Sequence, residues 1–183
     1  AVITQPRIDW RMVSSFPRSL DTLFGAAEFF CRRVAELTGQ RFRIRPYPAG
    51  ELVPGLQVLD AVQQGTVACG QTAGYYYTGK NPVLAFETTM PFGLTARQQT
   101  AWLTQAGGLA LMNEALADFN IRTFYAGGTG AQMGGWFRRE LPDLSAVRGL
   151  KMRIPGLGGE IMSRMGATVQ LLSGADIYMA LAR

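Results

Sequence analysis

The feature that most constrains this chain is an alternation of patterns across its first 72 residues. Trp10 to Ser15 (WRMVSS) reads as a strand ended by Pro17. A helix follows, with Ser19 or Asp21 to cap its start and Gly39 to close it. Leu23, Ala27, Phe30, Val34 and Leu37 recur at spacings of four and three and predict one apolar face. Phe42 to Tyr47 (FRIRPY) alternates as a second strand. Gly50 and Pro54-Gly55 mark a loop, and a short helix over about Leu56 to Gln64 turns Leu56, Leu59 and Val62 inward. Thr66 to Thr72 is a third strand. Strand, helix, strand, helix, strand predicts an α/β fold with mostly parallel sheets and helices on both faces. Ligands in such folds bind beyond the carboxyl ends of the strands. Here those ends lead into Ser14 to Ser19, Pro48 to Pro54 and Ala73 to Gly79.

The alternation then weakens. GYYYTGKNPVLAFETTMPFGLT, from Gly74 to Thr95, is dense in aromatics, glycine and proline and reads as loop with one helical turn. A long helix is expected from Thr95 to about Asp118, with Gly107-Gly108 as its weak point. Ile121 to Tyr125 reads as a strand, followed by a glycine-rich turn that runs into an apolar strand. Leu150 to Ile154 is a short strand before Pro155, Glu160 to Met165 a short helix closed by Gly166, and Ala167 to Leu172 a strand. Ser173 can cap a last helix, which reaches only about two turns before Arg183. Domains rarely stop in mid-helix, so the expectation is a first lobe over 1–126 and an incomplete second lobe over 127–183.

Composition excludes several chemistries. Hydrophobic residues are 48% and charged residues 17%, a core-forming balance. No apolar run approaches the roughly 20 residues that span a bilayer. The chain has no histidine, which removes Ser-His-Asp and Cys-His catalysis, imidazole bases and His-ligated zinc together. The net charge of +5 is scattered over Arg32/Arg33, Arg41 to Arg45 and Arg138/Arg139. No basic stripe with interleaved aromatics is present, which argues against a nucleic-acid partner. A positive balance suits an anionic ligand and an ordinary surface alike. Cys31 and Cys69 form neither a zinc framework nor a disulfide scaffold and read as two buried thiols, with a single bridge the alternative in an oxidising compartment. The opening AVITQPRID suits a mature end after export cleavage, and equally a trimmed cytoplasmic chain.

Two motifs are lookalikes. Gly74 to Asn81 (GYYYTGKN) has P-loop spacing, but Asn81 replaces the hydroxyl residue and Pro82 forbids the helix that would hold phosphate. Gly128 to Met133 (GTGAQM) fails as a dinucleotide fingerprint at Met133.

The candidate site residues come from loops and strand ends. Arg153 closes its strand with no acidic neighbour in sequence, and a guanidinium fork matches a carboxylate bidentately. The competing reading is a surface arginine or one paired to a core acid. Gln132 lies among Gly127, Gly128, Gly130, Gly134 and Gly135, where backbone approaches a ligand closely and the amide oxygen can coordinate a hard cation. The competing reading, which local sequence alone favours, is a solvent-facing turn residue. Tyr75, Tyr76 and Tyr77 follow the third strand, and their phenols can donate to a ligand oxygen. Phe16 and Phe92 are loop aromatics that either wall a ligand or pack between loops.

Several segments carry a family resemblance: YPAGELVPGLQVLDAVQQGTV (Tyr47 to Val67), GTGAQMGGWF (Gly128 to Phe137), LSAVRGLKMRIPG (Leu144 to Gly156) and MGATVQLLSGADIYMAL (Met165 to Leu181). On these the chain resembles the extracytoplasmic solute-binding proteins of TRAP (tripartite ATP-independent periplasmic) transporters, the DctP family, in the subgroup that takes 2-oxo acids and lactate. The resemblance spans essentially the whole chain. It implies a periplasmic binding protein-like fold of two α/β lobes around a cleft, with Arg153 on the substrate carboxylate and Tyr76 in contact with the ligand. It implies Na+ or Ca2+ beside the ligand, held in part by Gln132, and no catalytic cofactor. An acidic residue followed by tryptophan would complete that cation site beyond Arg183. The resemblance further implies export to the periplasm with the signal peptide already removed, TRAP membrane permease subunits as partners, and a homodimer in the full-length form.

The leading expectation is therefore a binding protein that closes around a small monocarboxylate, not an enzyme. A carboxylate-using α/β hydrolase would need paired Asp or Glu near the cleft, and neither the glycine turn nor the Arg153 strand supplies them. The ligand-sensing domain of a transcription regulator would need an attached helix-turn-helix, and none precedes Trp10.

Overall fold

The computed structural model describes residues 6–88 and 90–182. The readings of the first five residues and of Arg183 lie outside them. The described residues fall into two compact units, one over 6–72 with 173–182, the other over 73–88 with 90–172.

The first unit is built on a three-stranded parallel sheet in the order β2-β1-β3. β1 is Ile8–Ser14, β2 is Phe42–Tyr47 and β3 is Cys69–Gln71. Period-two alternation on β1 assigns its neighbours. Met12 packs with Ala27, Cys31 and Ile44 under helix α1 (Asp21–Leu37), while Val13 packs with Val58, Ala61 and Val67 under helix α2 (Val58–Gln63). One helix therefore covers each face of the sheet, as the alternation predicted. Pro46 is tolerated in β2 because that strand is at the edge of the sheet.

Several boundaries differ from expectation. The buried stripe of α1 is Phe24, Ala27 and Cys31, one step around from the predicted face, and Phe30 and Leu37 are exposed. Asp21 is the first helical residue and not the cap; its carboxylate takes the Thr22 N–H at 2.7 Å. Val58 and Ala61 are buried beside Leu59, whereas Leu56 and Val62 are only half-buried. Cys31 is buried and Cys69 half-buried; both thiols are free, and burial pushes each up to about 11. The last helix, α6 (Ile177–Ala182), starts after the predicted cap, because the Ser173 hydroxyl donates to Asp176 at 2.6 Å.

The second unit opens with two 3₁₀ turns, Gly74–Tyr77 and Pro82–Glu87. Thr95 caps α3 (Ala96–Gln105) through a capping box with Gln98. The predicted long helix breaks at its weak point. Gly107 adopts φ +81°, and α4 (Gly108–Ala115) resumes beyond it, with Gly108 pressed so close to Trp102 that a Cβ would lie 2.6 Å from the indole. Ile121 to Tyr125 is not a strand. Its ladder groups are taken instead by one side chain, since Asn113 accepts from Thr123 N–H at 2.9 Å and donates to Thr123 C=O at 3.1 Å. The apolar strand expected after the glycine turn is likewise absent among the described residues. A parallel pair closes the unit, β4 (Lys151–Arg153) and β5 (Thr168–Gln170), joined by α5 (Gly156–Arg164). α5 begins before the predicted Glu160, its glycines having masked the start. Among the described residues no helix is long and apolar enough to cross a membrane.

Candidate functional site

Arg153 is the last residue of β4, in register with Gln170 of β5. The approach to β4 is set by Asp143, whose carboxylate accepts from the Ser145 and Ala146 N–H groups at 2.8 and 3.3 Å and caps the turn Leu144–Val147. The Ser145 hydroxyl, donating to the same oxygen at 2.6 Å, and then these N–H groups hold the exposed Asp143 carboxyl below its usual range. Pro155 ends the strand, so the Arg153 side chain leaves from a rigid terminus.

The guanidinium is half-buried and oriented by neutral groups. Nε and Nη2 both donate to Leu172 C=O, at 3.0 and 2.9 Å. Nη2 also reaches the Tyr76 hydroxyl at 3.4 Å, and the guanidinium carbon lies 5.9 Å from the centre of the Tyr76 ring. Among the described residues no carboxylate forms an ion pair with it. The two contacts fix the fork without cancelling its charge, which suits an anion.

Tyr76 and Tyr77 are buried and Tyr75 half-buried. The Tyr75 and Tyr76 rings meet edge to face at 4.6 Å. Burial first, and the neighbouring Tyr76 hydroxyl second, push the Tyr75 phenol well above its ordinary range, and the Arg153 charge opposes them. Tyr75 thus shares the field of Arg153, which the sequence left open among three consecutive tyrosines.

Gln132, Phe92 and Phe16 have surroundings of their own. Gln132 is exposed in its glycine turn, where Nε2 donates to Thr129 Oγ1 at 2.8 Å and leaves the amide oxygen as the group able to coordinate a cation. Phe92 stands fully in solvent at φ +58°. Phe16 is buried in the first unit, its N–H donating to Ser14 Oγ at 3.0 Å. Among the described residues no group of three His, Cys, Asp or Glu could hold a metal. A hard cation takes about six to eight oxygens, of which a single glutamine amide can supply only one. A shallow hollow of about 690 Å³ along β1, α1 and β2 contains none of these candidates.

Glu87 was not singled out from sequence. Its carboxyl accepts from Thr123 Oγ1 at 2.8 Å and from the Gly74 N–H at the head of the tyrosine turn. A lone acid in an aromatic-rich loop carries no periodic signal; the glycine opening that turn was the only local hint.

Residues 13–183 match the family of bacterial extracellular solute-binding proteins, family 7. A monocarboxylate 2-oxoacid-binding periplasmic protein of Nostoc sp. is 61% identical over 178 residues, covering 97% of this chain and 49% of the relative. A TRAP transporter solute-binding protein from Bordetella bronchiseptica superposes with a TM-score of 0.94 at 45% identity, covering 97% of this chain and 53% of its own; that structure is a mixed-occupancy dimer with copurified calcium and picolinate at its occupied site. A TRAP periplasmic solute-binding protein from Pseudoalteromonas atlantica, with sodium and pyruvate bound, gives 0.93 at 37% identity and covers 97% and 54%. The chain spans about half the length of these relatives.

Proposed function

The chain belongs to the family of bacterial extracellular solute-binding proteins, family 7, and from that premise we propose that it is the capture component of a TRAP-type secondary transporter. Its ligand is a small monocarboxylate, a 2-oxo or 2-hydroxy acid such as pyruvate or lactate. The observation that carries this reading is the Arg153 guanidinium, held by Leu172 C=O and the Tyr76 hydroxyl with its charge uncompensated by either. A carboxylate received there gains two charge-assisted hydrogen bonds. The ligands named for the relatives from Nostoc and Pseudoalteromonas, a 2-oxoacid and pyruvate, carry that group.

Tyr76, Phe16 and Phe92 are proposed as further ligand contacts, and Gln132 as one oxygen ligand of Na+ or Ca2+ beside the acid. The family and these relatives are solute-binding proteins, which supports the reading of a receptor that releases its ligand unchanged rather than an enzyme. The periplasm as location, TRAP permease subunits as acceptors and a homodimer belong to the same reading. So does the division into a first lobe over 1–126 and the start of a second over 127–183. The full-length protein closes around the acid, with Arg153 as anchor. A calorimetric panel of pyruvate, lactate, succinate and leucine on the full-length protein tests this. Tightest binding of pyruvate or lactate supports it, and preference for the dicarboxylate or amino acid contradicts it.

A further inference from the structure

Behind the tyrosine turn lies a carboxyl that the proposed ligand contacts do not use. Glu87 ends the turn Pro82–Glu87 and takes two donors from different parts of the unit, the Gly74 N–H and the Thr123 hydroxyl at 2.8 Å. The fit against Gly74 is close, since a Cβ there would fall 2.2 Å from Glu87 Oε2. Thr123 and the Glu87 backbone are themselves held in place. Thr123 is clamped through its N–H and C=O by Asn113 of α4, at 2.9 and 3.1 Å. The Glu87 backbone is braced from α3, where Gln99 Nε2 donates to Phe86 C=O at 2.7 Å and Glu87 C=O at 3.3 Å. The next residue repeats the tether, with Tyr75 N–H donating to Thr88 Oγ1 at 3.1 Å. One residue further along the turn, the Tyr76 hydroxyl meets Arg153.

We propose that Glu87 is a positioning residue for ligand capture: its carboxyl fixes the turn Gly74–Tyr77 against Thr123 and so holds Tyr75 and Tyr76 where they orient Arg153. The proposal rests on the reading of Arg153 as the carboxylate anchor. Two acceptor oxygens on one side chain let a single residue tie the turn to Thr123 and through it to α4. Neither donor is charged, so the role is geometric, and an amide of the same shape can fill it. In Glu87→Gln, Oε1 accepts from Gly74 N–H and Nε2 donates to Thr123 Oγ1.

The test is pyruvate calorimetry with calcium present on the full-length protein, alongside the ligand-free melting temperature, for Glu87→Gln, Glu87→Leu, Thr123→Val, Thr123→Ser and Arg153→Ala. Glu87→Leu is expected to weaken pyruvate binding about tenfold and Thr123→Val about threefold, the scale of two lost hydrogen bonds and one. Glu87→Gln and Thr123→Ser are expected to stay within about twofold of wild type, because they keep the bonds. Should Glu87→Leu not fold, the Thr123 pair decides. Wild-type affinity in folded Glu87→Leu or in Thr123→Val overturns the proposal, even with a lowered melting temperature, which marks a merely structural role. If Arg153→Ala abolishes binding in that same series, the anchor reading survives that failure. No pyruvate binding by wild type, or full binding by Arg153→Ala, removes the anchor reading and this proposal with it.

Discussion

The Arg153 Nη2 lies 3.4 Å from the Tyr76 hydroxyl, while the same guanidinium makes its shorter bonds, 2.9 and 3.0 Å, to Leu172 C=O. The carbonyl sets the plane of the fork and the tyrosine contact is the looser one. A ligand oxygen can replace or share the second without disturbing the first.

Tyr76→Phe separates the two roles. It keeps the ring beneath the guanidinium and removes the hydroxyl. Stability should change by less than about 1 kcal/mol, and pyruvate affinity should fall about three- to tenfold. Calorimetry on the full-length protein reads the second number, and an unchanged affinity would place the ligand away from Tyr76.

The face of α1 is checked by a contrast. Phe24 is 1% exposed and Phe30 49% exposed. Phe24→Ala should cost about 3–5 kcal/mol in urea unfolding, whereas Phe30→Ala should cost less than about 1 kcal/mol. Equal costs would restore the rejected stripe.

Glu87 makes a pH signature. Burial is the largest cause that raises its carboxyl above 4.5, with the Thr123 and Gly74 hydrogen bonds opposing. A raised folded value means the folded state binds the proton more tightly than the unfolded state. This contribution is therefore complete below about 4.5 and is lost as pH rises through the raised value. Urea midpoints of wild type should decline relative to Glu87→Gln as pH rises from about 4.5 through the raised value. Parallel profiles would show that Glu87 titrates normally.

Removing the cation should weaken the ligand. Calcium chelation together with sodium-free buffer is expected to reduce pyruvate affinity at least about tenfold, and Gln132→Ala should do so more mildly. Titrations indifferent to both treatments would remove the cation from the account and leave Gln132 as a turn residue.

How much of this was legible in sequence depended on how local each cause is. The FRIRPY alternation marked β2 to the residue, and Thr95 marked the start of α3, because a strand period and a helix cap are short-range. The weak point at Gly107 was visible, and the structure shows it to be a complete break. The α1 face was misjudged because two stripes overlap. Both contain Ala27 and Val34, and only contact with Met12 and Ile44 chooses between them. Ile121 to Tyr125 has a strand pattern, but the Asn113 side chain takes the ladder bonds at Thr123, a competition no period reveals. Arg153 and Tyr76, which the structure brings together, were singled out through the family resemblance. Their supports were not, since Leu172 contributes a backbone carbonyl and Glu87 acts through Gly74 and Thr123.

The central claim is that Arg153 anchors a carboxylate, and the most direct measurement is ligand-induced thermal stabilisation of the full-length protein with pyruvate and calcium. At a ligand concentration of about 100 times Kd, wild type should gain roughly 2.7 kcal/mol of stability and melt several degrees higher. Arg153→Ala, with an intact ligand-free transition, should show no shift at the same pyruvate concentration. An undiminished shift in Arg153→Ala would contradict the assignment.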